Sequence, residues 1–399
     1  MKILLLCNKL PYPPMDGGSI ATWNLLSTFS TLGNDVTVLA MNTTKHYYEI
    51  DALPKEVVEL AEFHAVEIDT SFTGAAMIAN LLSGKSYHVE RFSDQKFDEK
   101  LIELLKQNEF DIVQLEGLYL SSYVETIRTH SKAKISMRAH NIEHEIWTRI
   151  ASKQTNPLKR IYLNIQSSRL KKYEVNRLSL YDFLIPISSR DEEHWRSFGA
   201  TIPIHTSPIG FNDESLVADE NKIKPNSIFF IGALDWLPNI EGILWFLKNV
   251  WKKILPTNPE LQCNIAGRNP GKEMQNLDFP NVNMLGEIED AYEFMQSNMI
   301  MVVPLFAGSG MRVKIIEAMA LEKTIISTTI GAEGIDYTNG ENILIADTVE
   351  EFRNQLLKCL SDENLCKRIG SAARQLIIEK YEIKSITKSL LNFYREQIA

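Results

Sequence analysis

Arg312 and Lys314 follow a glycine-rich loop holding Gly308, Ser309 and Gly310, and Glu317 comes about one turn later in the segment PLFAGSGMRVKIIEAMA, which runs from Pro304 to Ala320. Bases are badly placed at the start of a helix, where the partial positive charge of the free N–H groups repels them. Their presence there points to a bound anion. A guanidinium fork and an ammonium beside main-chain N–H groups can neutralise a diphosphate without a metal. No Asp-x-Asp pair that would chelate a cation occurs in the 399 residues. Glu317 is suited to accept hydrogen bonds from ribose hydroxyls.

A second candidate phosphate site lies near the start of the chain. After the apolar run 2–7 come three prolines, then Asp16, Gly17, Gly18 and a stretch of helical periodicity. Adjacent glycines at a strand-to-helix turn let an anion approach the main chain closely, although an ordinary capping turn has the same sequence. The spacing is not G-x-G-x-x-G, which counts against a dehydrogenase. His140 follows a further apolar run, and His140, Glu143 and His144 also spell the H-x-x-E-H pattern of some zinc peptidases. A peptidase would need both histidines on one helix face and a third ligand elsewhere. Because His140 stands only two residues past the apolar strand, it is expected on a loop or cap, and no metal site is assigned.

The elements that must hold these residues alternate between short apolar runs and longer amphipathic stretches, the pattern of a parallel sheet covered on both faces. The runs fall at 2–7, 35–40, 63–68, 111–115, 134–138 and 183–187, then at 227–231, 261–266, 283–285, 299–304, 324–327 and 342–345. Two doubly wound α/β domains follow. The first is expected over 1–205 with 381–399 returning to it, and the second over 206–380, with a linker in the proline-containing stretch 203–213. Four cysteines without C-x-x-C spacing read as buried free thiols. A net charge of −9 argues against a surface given over to nucleic acid. The apolar run near the N-terminus is too short for a signal peptide or a membrane span, so a cytoplasmic protein is expected.

The Pro304–Ala320 segment resembles the C-terminal signature of family 4 of the retaining glycosyltransferases, the glycosyl transferases group 1. That pattern is Glu-x7-Glu followed by Ala-Met-Ala. Glu317 matches the second Glu, while Ser309 stands at the first, as in a branch with Gly-Ser-Gly-x-Arg-x-Lys. The resemblance extends over Gly17-Gly18, the run 110–116, His140, the strand and turn 229–239 and the closing helix. Many members carry an Arg and a Lys after that strand. Asp235, Trp236, Pro238 and Asn239 stand there instead, so Arg312 and Lys314 are expected to take over the phosphates, with Arg268 after the next strand as a reserve.

The resemblance implies a GT-B fold, in which two Rossmann-like domains face each other across a cleft and a C-terminal helix crosses back to the N-terminal domain. It also implies transfer of a sugar, with retention, from a UDP- or GDP-linked donor to a glycan or lipid-linked acceptor in polysaccharide or glycolipid biosynthesis. No cofactor beyond that donor is implied. His140 would touch the donor sugar. A sugar-nucleotide epimerase of the same fold and a non-catalytic nucleotide-sugar-binding protein are the alternatives. Finally, eight bases and one acid, Glu174, lie between Arg149 and Arg177, which raises the expectation of peripheral contact with an anionic membrane at its inner face.

Overall fold

The structure is a computed structural model that describes residues 1–70, 80, 84–212, 218–308 and 310–398. The apolar stretch around Met77 and the loop residue Ser309 lie outside the described residues. The chain divides into two compact units, Met1–Gly210 with Ile383–Ala399, and Phe211–Glu382. Each contains one six-stranded parallel sheet.

In the first unit, strands β1 (Lys2–Cys7), β2 (Asp35–Thr43), β3 (Glu62–Ile68), β4 (Ile112–Glu116), β5 (Lys134–Ala139) and β6 (Phe183–Pro186) are ordered β3-β2-β1-β4-β5-β6. In the second, β7 (Ser227–Ile231), β8 (Gln262–Ala266), β9 (Val282–Gly286), β10 (Ile300–Val303), β11 (Thr324–Ser327) and β12 (Leu344–Ile345) are ordered β12-β11-β10-β7-β8-β9. Counted from each unit's own first strand, the two orders are the same. Both reverse direction once, between β1 and β4 and between β7 and β10. Loops diverge at such a reversal and leave a crevice at the carboxyl ends of the strands, where ligands of this architecture bind.

Burial on both faces explains why the strands are continuous apolar runs rather than alternating ones. Leu4 and Leu6 enter a core with Phe97, Leu101 and Trp195. Their neighbours Ile3, Leu5 and Cys7 enter the opposite one with Leu25, Phe29 and Tyr394. Each such aliphatic side chain contributes about 1.5–3 kcal/mol by leaving water. The helix Ile383–Ile398 belongs to this second layer, and its Tyr394 hydroxyl donates to Gln114 Oε1 at 2.7 Å and lies 2.7 Å from Ser136 Oγ. All four cysteines are free and buried. Among the described residues, no helix is long and apolar enough to cross a membrane.

Candidate functional site

In the second unit the reversal between β7 and β10 gathers the bases. Beyond β7 the chain turns at Gly232, whose N–H donates to Ala266 O at 3.1 Å, and enters the helix Leu237–Phe246 with Trp236 at its cap. Beyond β10 it passes through Gly308 and Gly310 to Arg312, which caps the helix Val313–Ala320. That helix buries Val313, Ile315, Ile316, Ala318, Met319 and Ala320. Lys314 and Glu317, three residues apart and hence neighbours on one face, are left half-buried on its other side.

Arg312 is 9% exposed, donates through Nη1 to Gly310 O at 2.7 Å, and lies 5.6 Å from the Trp236 ring centre. The Lys314 ammonium sits 3.9 Å above the Phe230 ring and 3.5 Å from Asn239 Oδ1. Burial, then the nearby Arg312 charge, hold the Lys314 pKa well below the usual lysine value. Two cations crowded together at a helix start form an environment that an anion relieves. Glu317 accepts from the Tyr292 hydroxyl at 3.1 Å, and burial lifts its carboxyl to about 7. Arg268 joins through its main chain, its carbonyl accepting Leu234 N–H at 2.8 Å.

Gly308 has φ +113°, and a Cβ there would come within 2.6 Å of Arg312 Nη2 and 2.9 Å of Trp236. Gly308→Ala is therefore expected to cost about 1–2 kcal/mol through main-chain strain alone, and to displace the guanidinium. Urea denaturation measures the first effect. An unchanged midpoint would show that the loop does not depend on the glycine.

In the first unit a pocket of about 190 Å³ is lined by Asn8, Lys9, Gly18, Glu116, His140 and Glu143, among others. Gly17 opens the helix Gly17–Thr31, but the helix end is already capped: Asp16 accepts from Ser19 N–H at 3.0 Å and pairs with Lys9 Nζ at 2.5 Å. Burial would raise the Asp16 carboxyl; Lys9 and the Ser19 N–H hold it at about 2. The negative charge at this helix end is thus the chain's own, and Gly18 faces the pocket beside it.

His140 follows β5 directly and precedes the helix Glu143–Lys153. Its Nε2 is 2.7 Å from Glu116 Oε2, which also accepts from Thr22 Oγ1 at 2.9 Å and lies 3.3 Å from Arg138 Nη1. Gln114 donates to the other Glu116 oxygen. Burial alone would raise the Glu116 carboxyl, but Arg138 and His140 overcome it and hold it at about 2. His144 instead contacts Glu174 at 2.5 Å, and Glu174 also accepts the N–H groups of Glu143 and His144 at 2.9 and 3.1 Å. Glu143 accepts from the Tyr119 hydroxyl at 2.7 Å, and burial, with help from Glu174, lifts its carboxyl to about 7. The two histidines of H-x-x-E-H therefore serve separate carboxylates from separate elements, Glu116 and Glu174. No group of three or more His, Cys, Asp or Glu among the described residues is placed to hold a metal.

The structure thus gathers Arg312, Lys314, Glu317, Gly308 and Gly310 in one unit, and Gly17, Gly18 and His140 in the other. Trp236, Phe230 and Tyr292, which seat the bases and Glu317, and Thr22, Glu116 and Arg138, which seat His140, were not among the candidate site residues. Phe230, Glu116 and Arg138 stand at or next to strand ends, whereas Trp236 and Tyr292 lie at helix starts and Thr22 within the helix Gly17–Thr31, positions that carry no sequence signal of their own.

The model of the family described as Glycosyl transferases group 1 matches residues 225–362. A Klebsiella pneumoniae protein described as an uncharacterized 44.6 kDa protein in the cps region is 24% identical over 399 residues, covering 98% of each chain. The poly(ribitol-phosphate) alpha-N-acetylglucosaminyltransferase of Staphylococcus aureus is 22% identical over 208 residues, 51% of this chain and 40% of that one. Among solved structures, sucrose-phosphate synthase from Thermosynechococcus elongatus superposes with a TM-score of 0.71 at 14% identity, covering 99% of this chain and 98% of that one. Anabaena HepE in complex with UDP-glucose gives 0.69 at 12% identity, covering 99% and 100%. Residues 225–362 thus resemble the glycosyl transferases group 1, within a chain that has a two-domain Rossmann-like α/β fold.

Proposed function

We propose that the chain is a retaining, family 4 glycosyltransferase that moves a sugar from a nucleoside-diphosphate donor, UDP- or GDP-linked, to a glycan or lipid-linked acceptor. The observation that carries the proposal is the pair of crowded cations, buried Arg312 and half-buried Lys314, at the β7/β10 reversal within the segment that the group 1 family model matches. HepE, which shares the fold, forms a complex with UDP-glucose, and this supports a UDP-linked donor. The Klebsiella relative of a cps region supports a role in cell-surface polysaccharide synthesis.

In the reaction, the bond between the sugar C1 and the leaving phosphate oxygen breaks as the acceptor oxygen bonds C1 on the same face. The acceptor proton passes to the departing diphosphate. Negative charge grows on that diphosphate, and cations fixed before the reaction stabilise it at no reorganisation cost. Arg312 and Lys314 fill this role in place of a metal, Glu317 takes the ribose hydroxyls, and His140 contacts the donor sugar. Arg268, Gly308, Ser309, Gly310 and the Gly17-Gly18 turn are assigned to the donor.

A thermal-shift screen of nucleotides and nucleotide sugars tests the reading. One nucleoside diphosphate is expected to raise the melting temperature, by about 2.7 kcal/mol of stabilisation at a hundredfold excess over Kd. A chelator should leave transfer unchanged. Stabilisation by none of them would end the proposal, and conversion of the donor without any acceptor would favour an epimerase.

A further inference from the structure

We propose that the outward face of the helix Pro157–Arg177 docks on an anionic lipid surface. This helix pairs with Glu143–Lys153 and turns Gln166, Ser167, Leu170 and Glu174 inward. On the solvent side Leu158 is 77% exposed, Ile161 57% and Ile165 38%. Spacings of three and four residues put the three on one face, as a continuous aliphatic stripe over the first turns. Single exposed aliphatics are ordinary, but a stripe of them on a helix is not. Two of the three are isoleucine, whose β-branch gives a solvent-facing helix position nothing in return.

The charges around the stripe are sorted by the fold. Arg149 pairs with Glu145 at 3.2 Å, Arg177 with Glu125 at 2.5 Å, and Arg169 donates to the carbonyls of Asn80 and Lys85 at 3.0 and 3.2 Å. Lys171 lies 5.1 Å over the Phe198 ring. Lys159, Arg160 and Lys172 are exposed on the same helix as the stripe, and its single acid, Glu174, is buried against His144.

The helix thus carries Leu158, Ile161, Ile165 and Lys172 on one exposed face, with Lys159 and Arg160 flanking the stripe to either side in the exposed first turn and no carboxylate among them, in a chain of net charge −9. Long basic side chains keep their charge at the level of lipid headgroups while aliphatic neighbours enter the acyl boundary. Anionic lipid satisfies both halves of this surface. A polyanion such as RNA would satisfy only the charge.

The test is sedimentation of the full chain with vesicles of phosphatidylcholine alone and of phosphatidylcholine with phosphatidylglycerol in equal parts. Binding is expected only to the mixed vesicles, and should weaken with salt. Both the triple variant Leu158→Ser, Ile161→Ser, Ile165→Ser and the double variant Lys159→Glu, Arg160→Glu are expected to lower partitioning about ten-fold or more. All five residues are exposed, so the melting temperature should hold, which separates loss of docking from loss of fold. Absence of binding to the mixed vesicles overturns the proposal. So does binding lost in the charge variant but kept in the serine variant, which would assign the face to polyanions in general.

Discussion

Lys314→Ala is expected to lower turnover at least ten-fold, a barrier increase of about 1.4 kcal/mol or more, and Arg312→Ala to do the same. Lys314 is the sharper case, because its ammonium is seated on the Phe230 ring and beside Asn239 and is held below its ordinary pKa by burial and by Arg312. A folded chain that depresses a lysine pKa binds fewer protons than the unfolded chain at pH values between the two, so its stability rises with pH across that window. A bound diphosphate reverses the depression and draws protons in.

Two consequences can be measured. Within that pH window nucleoside diphosphate binding should take up protons, seen by calorimetry in buffers of different ionisation enthalpy, and the uptake should shrink in Lys314→Ala. Lys314→Met should keep or raise the melting temperature while losing activity, because it removes an ionisable group whose charged form burial and Arg312 disfavour and whose purpose is the ligand. Turnover unchanged in both Arg312→Ala and Lys314→Ala would remove the diphosphate from this site.

Why Arg312 and Lys314 stand out in the sequence as candidates and Glu116 does not is a matter of distance along the chain. The two bases, Gly308 and Gly310 are local: strand end, loop and helix start are contiguous, and their misfit with the helix dipole is visible in a dozen residues. The strands were equally legible, since β1 buries both faces and so reads as the unbroken run Ile3 to Cys7. Even β12 was legible, although it keeps only Leu344–Ile345 of the run 342–345.

Glu116 acquires its meaning from Thr22, Arg138 and His140, which arrive from a helix and a neighbouring strand. Tyr292 likewise reaches Glu317 across 25 positions. No periodicity encodes such pairings. Local pattern could also mislead: H-x-x-E-H suggests one helix face, yet the helix begins only at Glu143, with its first N–H groups taken by Glu174. Asp16, three residues before Ser19, was the sign that the glycine turn already carried its own cap.

Glu116→Ala should be the most destabilising single change among the residues discussed, costing about 3–5 kcal/mol. Its partner Arg138 is 1% exposed, and the Arg138 Nε has no acceptor among the described residues. Removing the carboxylate would leave a buried guanidinium leaning on the Ala21 carbonyl, which accepts from Nη1 at 3.2 Å. It would also release His140 and Thr22 together.

The pH dependence has a definite sign. The Glu116 carboxyl is held at about 2 in the folded chain and titrates near 4.3 when unfolded. Its contribution is therefore complete above the unfolded value and is lost as pH falls from there through the folded value. Urea denaturation at neutral and acid pH should show wild type and Glu116→Ala converging toward low pH. Glu116→Ala combined with Arg138→Met, which removes both charges and keeps an aliphatic of similar length, should recover much of the loss. If the single variant matched wild type at neutral pH, the Glu116–Arg138 pair would not be what fixes His140, and the orientation of the histidine would have to come from the loop that follows β5.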